Sequence, residues 1–196
     1  DGPVILKANQ DSLARETSVA ECIAFGAEMT QRHDIPFLFM TYYNIIFKYG
    51  EERFFKDCQR CGIQGLIIPD LPPEMGENFF QLATRYEIAP ILIFTPTSTD
   101  SRMAELNKSS AGFIYCVARR GVTGKHSEFD ADFTSYLSRC RAATSLPLAV
   151  GFGIRSREDV VAITGKADMA VIGSETIRLV DTEGAAAVGP FISGLR

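Results

Sequence analysis

Along the chain, continuous apolar runs of strand length alternate with stretches whose apolar residues recur at helical spacing. The apolar runs are Pro36 to Tyr42 (PFLFMTY), Gly65 to Asp70 (GLIIPD), Pro90 to Thr95 (PILIFT), Gly112 to Ala118 (GFIYCVA), Pro147 to Ile154 (PLAVGFGI) and Ala167 to Gly173 (ADMAVIG). Each reads as a strand buried on both faces. Between them, Ser18-x-x-Glu21 is a capping box, and Val19, Cys22, Ile23 and Gly26 behind it predict an amphipathic helix to about Arg32. Phe54, Phe55 and Cys58 share one face of a helix predicted over Glu51 to Cys61, and further helices are predicted around Glu77 to Arg85 and Ser101 to Asn107. Phe133, Tyr136, Leu137 and Cys140 fall at i, i+3, i+4, i+7, Ser156 caps the next helix, and Ala185 to Leu195 forms a final helical tail. The Gly-Pro pair in Asp1 to Gln10 predicts that the chain opens in a loop.

Six apolar strands alternating with helical segments demand parallel pairing with helical crossovers, which is α/β architecture. A closed (β/α)8 TIM barrel typically takes about 250 residues, and six of its eight units take about three quarters of that. The chain of 196 residues fits six units in a single domain over residues 1–196, with the first two β/α units expected before Asp1. Closed only by these residues, the barrel would leave edges of PFLFMTY and ADMAVIG unpaired.

Composition narrows the partners. The sequence is 46% hydrophobic with a net charge of -4, and it has no dense Lys/Arg run, so neither nucleic acid nor an acidic membrane surface is expected. No apolar run approaches the roughly 20 residues of a spanning helix, and the first residues do not resemble a signal peptide, which points to the cytoplasm. Five cysteines, an odd number, suit a reducing compartment, with thiols used as small apolar residues and no disulfides.

Three glycine turns stand at strand carboxyl ends: GVTG at 121 to 124, GFG at 151 to 153 and GS at 173 to 174. Each alone is read as a tight turn. Together, after the last barrel strands and with the Ser174 hydroxyl where the next helix begins, they read as a phosphate cradle. Asp70 is either a turn residue capping its strand end or a residue of the mouth or an interface. Tyr42 and Tyr115 are either core residues or line the mouth. Cys58-x-x-Cys61 lacks a second ligand pair, and His33 and His126 are isolated, so no metal site is expected.

DGP at 1 to 3, MTYYN at 40 to 44, PDLP at 69 to 72, GVTG at 121 to 124, GFGI at 151 to 154 and IGS at 172 to 174 together resemble the tryptophan synthase alpha subunit family, in order along essentially the whole chain. The resemblance implies a (β/α)8 barrel lyase that cleaves indole-3-glycerol phosphate to indole and glyceraldehyde 3-phosphate by a retro-aldol reaction in L-tryptophan biosynthesis. It implies a beta-subunit partner carrying pyridoxal phosphate, in a heterotetramer of two alpha and two beta subunits, with no cofactor in the alpha subunit itself. Carried over by position, Asp1 is the catalytic aspartate at the indole N–H. Tyr42, Ile67, Ile93, Tyr115 and Phe152 line the indole pocket. Gly124, Gly153, Gly173 and Ser174 hold the phosphate, Thr123 belongs to the mobile loop, and Asn44, Phe47, Asp70 and Pro72 meet the beta partner.

The sequence departs from the family at Ala118 and Arg120, beside the mobile loop, and it contains no counterpart of the family's second carboxylate, a glutamate that serves as base. Without that glutamate these residues alone are expected to be inactive. Two other readings stay open: a non-catalytic allosteric partner of a beta subunit, and another phosphate-binding barrel enzyme.

Overall fold

In the computed structural model, residues 2–117, 131–151 and 153–196 are described. The chain runs α1 (Pro3–Ala14), α2 (Val19–Arg32), β1 (Leu38–Met40), α3 (Tyr43–Tyr49), α4 (Glu51–Arg60), β2 (Gly65–Ile67), α5 (Glu77–Arg85), β3 (Ala89–Ile91) and β4 (Ile93–Phe94). It continues through α6 (Asp100–Lys108), β5 (Ile114–Val117), α7 (Ala131–Ala143), β6 (Leu148–Gly151), α8 (Arg157–Ile163), β7 (Met169–Val171), α9 (Ser174–Glu183) and α10 (Val188–Gly194). The strands form two sheets, ordered β1-β2-β3 and β4-β5-β6-β7. The pairings of β1 with β2, β2 with β3 and β6 with β7 are parallel. Two compact units divide the chain, one holding residues 17–93 and 101–114, the other the remainder.

In the first of these units, α2 begins as the capping box predicts: the Ser18 hydroxyl accepts from the Glu21 N–H, and the Glu21 carboxylate accepts from the Ser18 N–H at 2.7 Å. The face predicted for α4 is the one buried, with Phe54, Phe55 and Cys58 in a core that Ile23, Leu66, Phe79 and Leu82 share. Phe55 and Phe79 meet edge to face at 5.0 Å between ring centres. Burial of each such ring contributes about 1.5–3 kcal/mol. Gly65, at the centre of the sheet, has no room for a side chain. A Cβ there would lie 2.6 Å from both Leu38 Cδ2 and Ile91 Cδ1, the neighbours that close over it from β1 and β3.

In the second unit, Phe133, Tyr136, Leu137 and Cys140 of α7 are all buried, as their spacing predicts, and the Tyr136 hydroxyl donates to the Phe94 carbonyl at 2.7 Å. Ser156 caps α8 in a second capping box with Asp159. The five cysteines are free thiols, but Cys22 is exposed rather than buried.

Three expectations need correction. Residues 3–14 form α1, not a loop: Pro3 stands at the first helical position, where its missing N–H costs nothing. α1 buries no residue, so no apolar stripe marks it in the sequence. The run after Pro36 is not fully buried: among the described residues β1 is the edge of its sheet, paired with β2, and Met40 is 55% exposed. Its continuation from Tyr43 is helix α3, which the unbroken apolar pattern hides. The run Pro90 to Thr95 divides at Leu92 into β3 and β4, which belong to different sheets.

At the amino end of β7, one carboxylate secures the pairing with β6. Asp168 accepts from the Leu148 N–H at 2.7 Å and from Arg141, while its own N–H donates to the Leu148 carbonyl at 3.0 Å. The Leu148 N–H, and then Arg141, hold this carboxyl below its ordinary value. A depressed folded-state value adds stability above the unfolded value, and that stability is lost as pH falls through the depressed one. Asp168→Asn is therefore expected to lower the thermal midpoint at pH 7, with the gap from wild type closing below pH about 4; the effect is small because the pair is half exposed. Thermal melts from pH 7 to pH 3 check this, and a gap independent of pH would refute it.

Candidate functional site

Several of the described candidate residues lie at or just after the carboxyl ends of strands, and in each unit the local chain explains why. At the end of β2, Ile67 is buried and its carbonyl accepts from the Thr41 N–H at 3.1 Å, which carries the β1–β2 pairing to the threshold of Tyr42. Asp70 follows, and its Oδ1 accepts from the Tyr43 N–H at 2.9 Å. Tyr42, at the N-cap of α3, makes no side-chain cap, so Asp70, reaching from 27 residues away, supplies one. Of the two roles open to Asp70, capping is the one seen in the geometry, and what it caps is a helix, not its own strand end. Tyr42, Asn44, Ile67 and Asp70 are thereby gathered at one end of the β1–β2 pair. Asn44 and Phe47 of α3 are exposed, Phe47 to 68%, whereas Pro72 is half-buried. Ile93, in β4, is half-buried.

The other unit gathers the glycine ends. β6 and β7 are paired, so Gly151 and Val171 are register partners, and the turns that follow them emerge side by side. Gly153 has φ +67°, in the left-handed region that glycine takes without strain. A Cβ on Gly153 or on Gly173 would meet nothing within 4 Å among the described residues. Gly173 leads directly into α9, where Ser174 is the first helical residue and is half-buried. The first N–H groups of a helix have no partner within it, and together with the helix dipole they favour an anion. Arg155, just past the first turn, lies 3.9 Å from Glu175 in the first turn of α9. Glu175 is held ionised below its ordinary range, chiefly by Arg178 at 2.5 Å.

Tyr115 stands over Gly151. A Cβ on Gly151 would come within 2.2 Å of the Tyr115 hydroxyl and 2.6 Å of its Cζ, so the absence of that side chain makes the space the phenol occupies. Burial pushes the Tyr115 phenol above its ordinary value, which keeps it a neutral hydrogen-bonding group. The sequence reading missed this dependence, because no local pattern connects residues 36 apart; the only signal was a glycine ending an otherwise bulky strand.

Asp1, Thr123, Gly124 and Phe152, with His126, Arg119 and Arg120, lie outside the described residues. Among the described residues, no group of three or more His, Cys, Asp or Glu could hold a metal ion. Cys58 is core, and burial pushes its thiol up to about 12, far from a ligating thiolate. A cleft of about 520 Å³ lined by Thr134, Ser138, Arg141, Lys166 and Asp168 lies at the amino ends of β6 and β7, the end opposite the glycine turns, and takes no part in this site.

Gly151→Ala is expected to drive Tyr115 from its place and to destabilise the protein by about 1–3 kcal/mol, as overpacking does. Adding Tyr115→Ala should recover part of that loss. A double-mutant cycle on thermal or denaturant melts reads the coupling, and additive effects would show that the two residues do not share this space.

The family described as tryptophan synthase alpha chain matches residues 1–188. The chain is similar to the tryptophan synthase alpha chain of Desulfotalea psychrophila, at 68% identity over all of this chain and 77% of that relative. It is 50% identical to that of Syntrophotalea carbinolica, over all of this chain and 78% of the relative. Among solved structures, the tryptophan synthase complex from Pyrococcus furiosus contains a chain that matches with a TM-score of 0.90 at 24% identity, over all of this chain and 80% of that one.

Proposed function

Because the chain belongs to the tryptophan synthase alpha chain family, (β/α)8-barrel lyases that cleave indole-3-glycerol phosphate in tryptophan biosynthesis, we propose that the open ends of β6 and β7 hold the substrate's phosphate. The observation that supports this assignment is the pairing of β6 with β7 in register up to Gly151 and Val171, with Gly153 and Gly173, at which a Cβ would meet nothing within 4 Å among the described residues, two residues beyond, and Gly173 leading into α9. Backbone N–H groups there, with the Ser174 hydroxyl and Gly124, bind the dianion, and its fixed position orients the rest of the molecule. Tyr42, Ile67, Ile93, Tyr115 and Phe152 are assigned to the indole ring, and Thr123 to the loop that closes over it.

In the retro-aldol step the ring gains a proton at C3, the adjacent side-chain hydroxyl loses one, and the bond between C3 and the glycerol chain breaks to release indole and an aldehyde. Positive charge develops on the ring nitrogen before the bond breaks. A carboxylate at the N–H stabilises that charge, and Asp1 is assigned this role. A second carboxylate takes the hydroxyl proton. The alpha subunit uses no cofactor in this scheme, and pyridoxal phosphate belongs to the beta chain. An alpha chain has a beta partner; we assign Asn44, Phe47, Asp70 and Pro72 to that contact, in a heterotetramer of two alpha and two beta chains. Asp70 contributes by capping α3. No helix among the described residues is long and apolar enough to cross a membrane, and a cytoplasmic setting agrees with the chemistry.

In the complete protein, Ser174→Ala is expected to raise KM for indole-3-glycerol phosphate about tenfold with kcat nearly unchanged, the mark of lost uniform binding. Asp1→Asn is expected to lower kcat by at least about a hundredfold. Indole release, followed with time, checks both. Absence of indole from the wild-type protein, or a Ser174→Ala variant with unchanged KM, would refute the assignment.

A further inference from the structure

Helix α3 has only seven residues, and a helix this short does not hold itself in water. It buries Ile46 and leaves Ile45 and Phe47 exposed, at 36% and 68%. Its orientation therefore depends on what holds it from outside, and the ties converge on Tyr43. The Tyr43 N–H donates to Asp70 at 2.9 Å, and the Tyr43 hydroxyl donates to Glu51 Oε1 at 3.0 Å. The other Glu51 oxygen accepts from Asn78 Nδ2 at 2.6 Å, which carries the chain of bonds from α3 through α4 to α5. Burial, and then Glu51, push the Tyr43 phenol above its ordinary value, so at neutral pH it stays protonated and donates. One turn further along α3, the Phe47 ring packs against that of Tyr43, 6.1 Å between centres.

We propose that Tyr43, clamped by Glu51 and Asn78, is a positioning residue that presents the exposed Phe47 ring to the beta chain. The proposal rests on the assignment of Phe47 to the partner contact. The beta chain is the occupant argued for because an exposed aromatic on a fixed helix suits an anchor at a protein interface, and because a member of an alpha chain family has a beta chain as its partner. A residue that only stabilises the unit would alter melting without altering the partner's affinity at temperatures where the protein is folded. A residue that fixes the anchor lowers affinity, because the beta chain must then order α3 on binding.

The test measures the affinity of the full chain for the beta chain of the same organism by titration calorimetry, well below the melting temperature of each variant. Tyr43→Phe and Glu51→Ala, which cut the same bond from either end, are each expected to weaken binding about tenfold, the scale of one hydrogen bond to a charged group. Glu51→Gln, which still accepts from the phenol, is expected to recover most of that loss. Phe47→Ala is expected to weaken binding at least as much. If Phe47→Ala weakens binding while Tyr43→Phe and Glu51→Ala bind like wild type, the positioning role is refuted and the assignment of the surface stands. If Phe47→Ala has no effect, both are refuted. If the wild-type chain self-associates and Phe47→Ala abolishes that, the face belongs to a second copy of this chain and the proposal fails.

Discussion

Parallel pairing between very short strands is the constraint on which the rest of the structure depends. β1, β2, β3 and β7 have three residues each and β4 only two, so each ladder contributes few hydrogen bonds and none of these strands is stable by itself. Parallel neighbours also require a crossover long enough to return the chain to the same end, and a helix is what fills it. The helices therefore both connect the strands and cover them, and the aromatic face of α4 shows the second duty: Phe54 and Phe55 are buried under the same core that holds Leu66 of β2. Pairing strands in the same direction also gathers their carboxyl ends, and that geometry assembles the candidate residues within each unit.

The two kinds of strand end are built oppositely. After β2 and β1 the chain is tied down: Thr41 bonds to Ile67, Asp70 caps α3, and Tyr43 reaches Glu51. After β6 and β7 it is left open, with Gly153 and Gly173 presenting bare backbone and with no side chain capping α9. An anion needs unspent N–H groups, so a capping side chain there would compete with it. An interface needs a fixed shape, so capping there is useful. The arrangement of caps thus fits the roles proposed for the two ends, an anion site at one and a partner contact at the other.

What was legible in the sequence was local. Ser18 and Glu21 are three residues apart and satisfy each other, and Phe54, Phe55 and Cys58 lie on one turn-and-a-bit of helix; in both cases the pattern and the physics act over the same short range. What escaped was set by distant residues or left no pattern. α1 buries nothing, so no periodic stripe exists to be read. α3 begins where it does partly because a carboxylate at position 70 caps residue 43, and the apolar run leading into it has no break of its own. The strand at Pro90 to Thr95 splits because its halves pair with different sheets, a tertiary fact. At the site, the glycine ends were legible because glycine marks backbone that must stay bare, whereas the dependence of Tyr115 on Gly151 joins residues whose contact only the folded sheet creates.

The same distinction changes how a carboxylate in such a chain is to be weighed. A charged residue at a strand end reads from sequence as a candidate for chemistry or for contact, yet Asp70 and Asp168 each have an oxygen engaged by a backbone N–H, Tyr43 for one and Leu148 for the other. A carboxylate bound in this way is held in one orientation, which suits it to organising backbone, and at Asp168 the same bonds hold the carboxyl below its ordinary value, which makes it a poor proton acceptor. The base of a retro-aldol reaction has the opposite requirement: an affinity for protons high enough to take one from an alcohol, and freedom to reach it. Asp168 does not meet that requirement, and what the described structure shows the two aspartates doing is fixing strand register and helix direction.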